Sequence, residues 1–187
     1  MKTLSGIILK AFGWKLMGEF PDLKKCIIIV APHTSNWDLI LGKIYMNEKG
    51  VKNSVLVKKE LFFFPMNFIM RAIGTVPVDR KNRKNNVVAQ AATYFKKKEE
   101  FHLVIAPEGT RRKVMRWKKG FLYIAQKAQV PIVVSYIDYK KKEVGIKKVL
   151  NDTSDMIKTM KEINNIYMNV NAKYPDNFTL DKGYSQK

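Results

Sequence analysis

The chain has 187 residues, of which 46% are apolar. It can bury a core without cross-links and is too apolar to read as disordered. Its 35 Lys and Arg outnumber 16 Asp and Glu, for a net charge of +19. That predicts an anionic partner: nucleic acid, lipid headgroups or an acidic carrier protein. One cysteine, Cys26, and two histidines exclude an intramolecular disulfide and a dense set of zinc ligands.

No stretch approaches the roughly 20 apolar residues of a spanning helix. The longest apolar run, 61–70, is interrupted by Pro65 and Asn67. The N-terminus lacks a secretory cleavage pattern, so the expectation is a cytoplasmic protein that meets a membrane, if at all, from its surface.

Residues 3–14 place Leu4, Ile7, Ile8 and Ala11 on one helical face, with Phe12 and Trp14 at its edges. Such a short amphipathic helix, within residues 1–20, suits either a membrane interface or the domain's own core. The β-branched run 26–30 predicts a strand covered on both faces. A helix over 37–47 follows, with Ser35 or Asn36 able to cap it. Strands are expected at 53–58 and 74–78, with a helix over 61–72 that holds Pro65 in its first turn.

Val87, Ala91 and Phe95 recur at spacing four, which predicts a helix over 84–98. A strand over 101–105, a helix over 120–128 and a strand over 131–139 follow. Residues 143–150 alternate poorly and carry lysines, as an edge strand does. Met156, Met160, Ile163, Tyr167 and Val170 form a last helical stripe after Asp152 or Thr153 as cap. Strands alternating with helices over short connections predict a single α/β domain over 1–187, with a mixed, mostly parallel sheet flanked by helices.

The strand over 26–30 runs into Ala31-Pro32-His33-Thr34-Ser35-Asn36-Trp37-Asp38. A strand end that opens a helix is where α/β proteins place chemistry, and an imidazole can take and return a proton near neutral pH. Positions five apart on a regular helix sit roughly 140° apart. His33 therefore meets Asp38 only if it lies in the turn before the helix. Otherwise His33 is a packed histidine, and Asp38 merely complements the helix N-terminus.

Pro107-Glu108-Gly109-Thr110-Arg111 stands at another strand end. Gly109 permits close backbone approach, Thr110 supplies a hydroxyl and Arg111 a forked donor for phosphate. An ordinary loop with a Glu–Arg pair is the alternative. Asp79-Arg80 follows the strand over 74–78, with either an anion site or a surface salt bridge as its reading. Phosphate-binding, dinucleotide and α/β-hydrolase glycine or serine motifs are absent. One base, one orienting acid and arginines suit direct acyl transfer onto a hydroxyl.

Taken in order, these blocks resemble the glycerolipid acyltransferases of the 1-acylglycerol-3-phosphate acyltransferase (PlsC-like) family over about residues 25–137. His33 to Asp38 resembles the family's H-x-x-x-x-D motif, Lys58-Lys59-Glu60-Leu61 its basic segment, and 74–80 its arginine block. Residues 107–111 are similar to its P-E-G-T-R block, and Lys119-Gly120 with 130–133 to the approach to its last motif. Ala106, Arg112 and Val134 depart from the usual pattern.

The resemblance implies His33 as general base with Asp38 as its partner, and Arg80, Glu108, Gly109, Thr110 and Arg111 around a glycerol phosphate, with Lys58 or Lys59 nearby. It implies no bound cofactor or metal. The donor would be acyl-CoA or acyl-carrier protein and the acceptor a lyso-lipid, most simply 1-acylglycerol-3-phosphate, or else a lyso-aminolipid. Peripheral attachment at the cytoplasmic face of an anionic membrane would use the positive charge. A basic nucleic-acid-binding module, suggested by charge and the basic-aromatic run 111–121, is the competing class. No nucleic-acid motif accompanies it, so no nucleic-acid partner is expected.

Overall fold

The computed structural model describes residues 2–79 and 86–184. Among these residues, one seven-stranded sheet runs in the order β1-β7-β6-β2-β5-β3-β4. Its strands are β1 (Lys15–Met17), β2 (Lys25–Ala31), β3 (Asn53–Lys58), β4 (Thr75–Val78), β5 (Phe101–Ile105), β6 (Ile132–Asp138) and β7 (Glu143–Leu150). Every neighbouring pair is parallel except β6 with β7. The helices are α1 (Lys2–Ala11), α2 (Trp37–Glu48), α3 (Met66–Ala72), α4 (Val87–Lys97), α5 (Gly120–Ala128) and α6 (Met156–Tyr167). An α/β fold with a mostly parallel sheet flanked by helices is what the alternation of elements predicts.

Strand side chains alternate between faces, and β2 divides itself accordingly. Ile27, Ile29 and Ala31 join Leu103, Ile132, Val134 and Tyr136 under α4, α5 and α6. Cys26 and Ile28 join Val133, Ile137 and Val144 under α1 and α2. Burial on both faces explains why these strands read as unbroken apolar runs. It also pushes the Cys26 thiol up to about 12, so that cysteine is an inert core residue.

Several local expectations need correction. The N-terminal helix stops at Ala11, and β1 follows it over Lys15–Met17, a strand of three residues and so too short to show an alternation of its own. That strand pairs with β7, so β7 is not an edge. Gly145 permits the pairing, because a Cβ there would collide with the Met17 carbonyl. α1 also serves the domain's own core: Leu9 is 1% exposed, and the Gly6 amide donates to Glu48 Oε2 on α2 at 2.9 Å.

The helix expected over 61–72 is divided. A 3-10 turn covers Lys59–Leu61, and α3 begins only after Pro65, which occupies the N-cap. Of the caps named from sequence, the one at α6 shifts, whereas α2 uses one of its two candidates. α6 is capped by Asp155, whose carboxylate accepts from the Ile157 and Lys158 amides. At α2 the Asn36 side chain makes no cap bond; Ser35 Oγ accepts from the Trp37 amide at 3.2 Å instead.

Candidate active site

Parallel strands deliver their C-terminal ends to one edge of a sheet, where ligand groups collect. β2 ends at Ala31, β3 at Lys58, β5 at Ile105 and β6 at Asp138. The segments that follow carry His33, Lys59, Glu108 and Tyr139.

His33 lies in the turn and Asp38 in the first turn of α2, which resolves the angular conflict of their spacing. His33 Nδ1 stands 3.1 Å from Asp38 Oδ2. The same oxygen accepts from the Thr34 and Ser35 amides at 2.8 Å each. Asp38 Oδ1 accepts from the Tyr139 hydroxyl at 2.7 Å. The carboxylate is thus satisfied while the residue is 2% exposed. Burial pushes its carboxyl up. Hydrogen bonds from His33, Tyr139 and Ser35, together with the charge of His33, outweigh burial and hold it below its ordinary range. An ionised partner on Nδ1 assigns the proton of a neutral His33 to that nitrogen and the lone pair to Nε2.

Glu108 supports the same turn from β5. Its Oε1 accepts from the His33 amide at 2.8 Å. Its Oε2 is buried without a hydrogen-bond partner among the described residues. Burial pushes the carboxyl up to about 7, against the pull of the Glu108 and His33 amides. A buried acid that accepts from the histidine's backbone amide supports the His33 turn. Gly109 follows at φ 66°, and a Cβ there would meet the Lys118 side chain at 2.7 Å, so glycine serves both the turn and the packing.

Thr110 Oγ1 accepts from the Arg112 amide at 3.3 Å, which shapes the loop. Arg111, Lys58 and Lys59 are exposed. Lys58 and Lys59 stand at the end of β3 on the site edge, where their charge faces solvent. β4 ends at Val78 on that edge too, but Arg80 lies outside the described residues.

Beneath α2, His33 and Asp38 line a mostly apolar cavity of about 120 Å³, with Leu39, Met46, Val55, Val104 and Ala106 among its walls. A small residue at position 106 widens that wall. Among the described residues no three His, Cys, Asp or Glu side chains cluster as metal ligands. The second histidine, His102, is structural: its ring nitrogens contact the Lys52 carbonyl at 2.9 Å and the Leu23 carbonyl at 2.7 Å.

Tyr139 escaped the sequence reading. It stands 101 positions from Asp38, and only the pairing of Ala31 with Tyr136 brings the end of β6 beside the His33 turn. Its ring packs edge-on against Trp14, with centroids 5.2 Å apart. Lys173 was also missed. Its ammonium lies over Trp37, Tyr139 and Tyr174 at 5.3, 5.8 and 5.7 Å. The Tyr174 amide donates to Thr34 Oγ1 at 3.3 Å, so the C-terminal segment buttresses the turn.

A Mycoplasma pneumoniae protein named "Probable 1-acyl-sn-glycerol-3-phosphate acyltransferase" is 36% identical over 115 residues, 59% of this chain and 43% of the relative. A Saccharomyces cerevisiae 1-acyl-sn-glycerol-3-phosphate acyltransferase is 31% identical over 141 residues, 71% of this chain and 44% of the relative. This chain therefore spans less than half the length of either relative. The crystal structure of the 1-acyl-sn-glycerophosphate acyltransferase PlsC from Thermotoga maritima superposes with a TM-score of 0.61. The match is at 18% identity and covers 88% of this chain and 74% of that one, a likeness of fold. The Acyltransferase family model matches residues 17–138, from β1 through β6. Together with the sheet edge that gathers His33, Asp38 and Glu108, that match makes the chain a member of the Acyltransferase family.

Proposed function

We propose that the protein transfers a fatty acyl group from acyl-CoA or acyl-carrier protein to the free hydroxyl of a lyso-lipid. The acceptor that fits best is 1-acylglycerol-3-phosphate, which would give phosphatidic acid. One observation carries this reading: His33 is held by Asp38 through Nδ1 at 3.1 Å while its ring lines an apolar cavity. A base is thereby placed where an acyl chain can lie. Both relatives bear the name 1-acyl-sn-glycerol-3-phosphate acyltransferase, which supports the acceptor.

In this mechanism His33 Nε2 takes the proton of the acceptor hydroxyl as its oxygen attacks the thioester carbonyl. The C–O bond forms, the C–S bond breaks, and the departing thiolate takes the proton from the imidazolium. Asp38 stabilises that imidazolium and keeps the ring in the required tautomer. No acyl-enzyme is formed. The positive charge of Lys58, Lys59 and Arg111, with Arg80 beyond β4, would attract the acceptor's phosphate and an anionic cytoplasmic membrane surface.

The test is release of free thiol from each donor in the presence of lysophosphatidic acid, of a lyso-aminolipid without phosphate, or of no acceptor. Thiol release matched by phosphatidic acid is expected. Faster turnover of the lyso-aminolipid would replace the acceptor. Salt-sensitive RNA binding with no thiol release from either donor would overturn the enzyme in favour of a nucleic-acid module.

A further inference from the structure

Among the described residues no helix is long and apolar enough to cross a membrane. Isolated exposed apolar side chains are ordinary, whereas a contiguous group marks an interaction surface. Such a group surrounds the Pro65 turn. Phe63, Phe64, Phe68, Ile69 and Ile73 are 56%, 80%, 64%, 52% and 49% exposed. The rings of Phe64 and Phe68 lie edge to face, with centroids 6.2 Å apart, so the turn presents its aromatics side by side.

The patch continues onto α2. A groove of about 680 Å³ runs between α2, β3 and α3, lined by Leu39, Ile40, Ile44, Val57, Met70 and Ile73 among others. Leu39, Lys43 and Val55 line both this groove and the cavity that holds His33. The exposed surface and the candidate active site are therefore neighbours through shared walls. Charge agrees: residues 39–78 contain six Lys or Arg (Lys43, Lys49, Lys52, Lys58, Lys59, Arg71) against two acids, Glu48 and Glu60. Glu48 is occupied by α1, and Lys49 by Glu19 at 2.6 Å.

We infer that the segment 61–73, with the outer face of α2, is the surface that seats the protein on an anionic bilayer, and that the groove beside it admits an acyl chain sideways toward His33. Aromatic and aliphatic side chains enter the headgroup boundary while the surrounding lysines meet anionic headgroups. α1, the element the sequence offers for this task, buries Leu9 in the core and leaves Ile7 and, just past its end, Phe12 61% and 70% exposed, so it is the competing surface in the test. The lateral path rests on the acyltransferase reading; the docking surface does not.

Vesicle cosedimentation of the full chain tests both. Phosphatidylcholine vesicles with and without phosphatidylglycerol, at low and high salt, would be compared for wild type, Phe64→Ser/Phe68→Ser and Ile7→Ser/Phe12→Ser. Wild type should bind the phosphatidylglycerol vesicles in a salt-sensitive manner. The Phe64/Phe68 variant should bind about tenfold or more weakly, and the Ile7/Phe12 variant like wild type.

Loss confined to the Ile7/Phe12 variant would move the surface to α1 and overturn the inference. So would wild type that ignores vesicles but forms a dimer broken by Phe64→Ser/Phe68→Ser. Transfer from a short-chain, water-soluble thioester separates the two ideas, since the Phe64/Phe68 variant should retain it. Phenylalanine-dependent docking without acyl transfer to any acceptor would leave the surface standing and the acyltransferase reading fallen. Acyl transfer with docking indifferent to the pair would do the reverse.

Discussion

At the His33 turn, Asp38 is 2% exposed and its two oxygens receive bonds from His33, Thr34, Ser35 and Tyr139. Across α2, Phe64 is 80% exposed, and a neighbouring ring is its aromatic contact. The turn holds polar groups that are costly to bury unless each finds a partner, so its geometry is over-determined from β2, β5, β6 and the C-terminal segment. The Pro65 surface holds apolar groups that are costly to leave in water, and the described residues do not cover them. In the first region the Asp38 carboxylate is satisfied within the chain; the second, on the docking proposal, is completed by something outside it. Substitutions in the first should therefore change chemistry or stability, and substitutions in the second should change association.

The largest expected effect breaks the first region at its centre. His33→Ala should lower kcat by roughly 10²–10⁴-fold, the range of general-base assistance, with the melting temperature little changed because the ring is partly exposed. Asp38→Asn should cost nearly as much. It removes the acceptor that assigns the Nδ1 proton, and it leaves the Thr34 and Ser35 amides facing an amide side chain. Steady-state kinetics together with thermal melts check both. A folded His33→Ala enzyme with near-normal kcat would end the general-base mechanism.

Tyr139→Phe sharpens the comparison by removing one hydroxyl from the turn while the ring stays against Trp14. Asp38 would lose its 2.7 Å donor, a change of about 1–3 kcal/mol for an unsatisfied buried acceptor. One of the bonds that holds the Asp38 carboxyl low would also go. The acidic limb of kcat/KM should shift to higher pH, with kcat falling about tenfold and KM little altered. An unshifted pH profile, with only a lower melting temperature, would make Tyr139 a packing residue.

The sequence made some of this visible and hid the rest for a physical reason. β2, β5 and β6 are buried on both faces, so local composition alone marks them. The His33–Asp38 pair was legible because both partners lie in one turn, and the Glu108 block because it follows a strand. What each does at distance was not legible. Tyr139 reaches Asp38 only through the β2–β6 pairing, and Glu108 proves to be buried only once β5 lies beside β2. β1 is three residues whose partner is at Glu143–Gly145, a contact with no local signature. Pro65 marked a break, yet which side of it was helical depended on α3 packing against β4.

The smallest effect on activity concerns how Glu108 maintains the turn, where the readout is stability. Its carboxyl titrates near 7, against 4.5 for an ordinary glutamate, so the folded protein keeps a proton that the unfolded chain has already released between these values. A folded-state value that is raised contributes stability in full below about pH 4.5, and that contribution is lost as pH rises to about 7. The loss is on the order of 3 kcal/mol. Asp38 acts in the opposite sense: its lowered carboxyl contributes stability above the ordinary range, and that contribution is lost as pH falls through its folded value. Glu108→Gln keeps an oxygen for the His33 amide and removes the titration. Denaturant unfolding at about pH 5 and about pH 8 should show wild type losing stability toward the higher pH relative to the variant. The variant should retain most activity, because the neutral acid and the amide both accept from His33. Parallel pH slopes would mean that Glu108 is ionised throughout, and its unpartnered Oε2 would then have to be held by a bound water or cation.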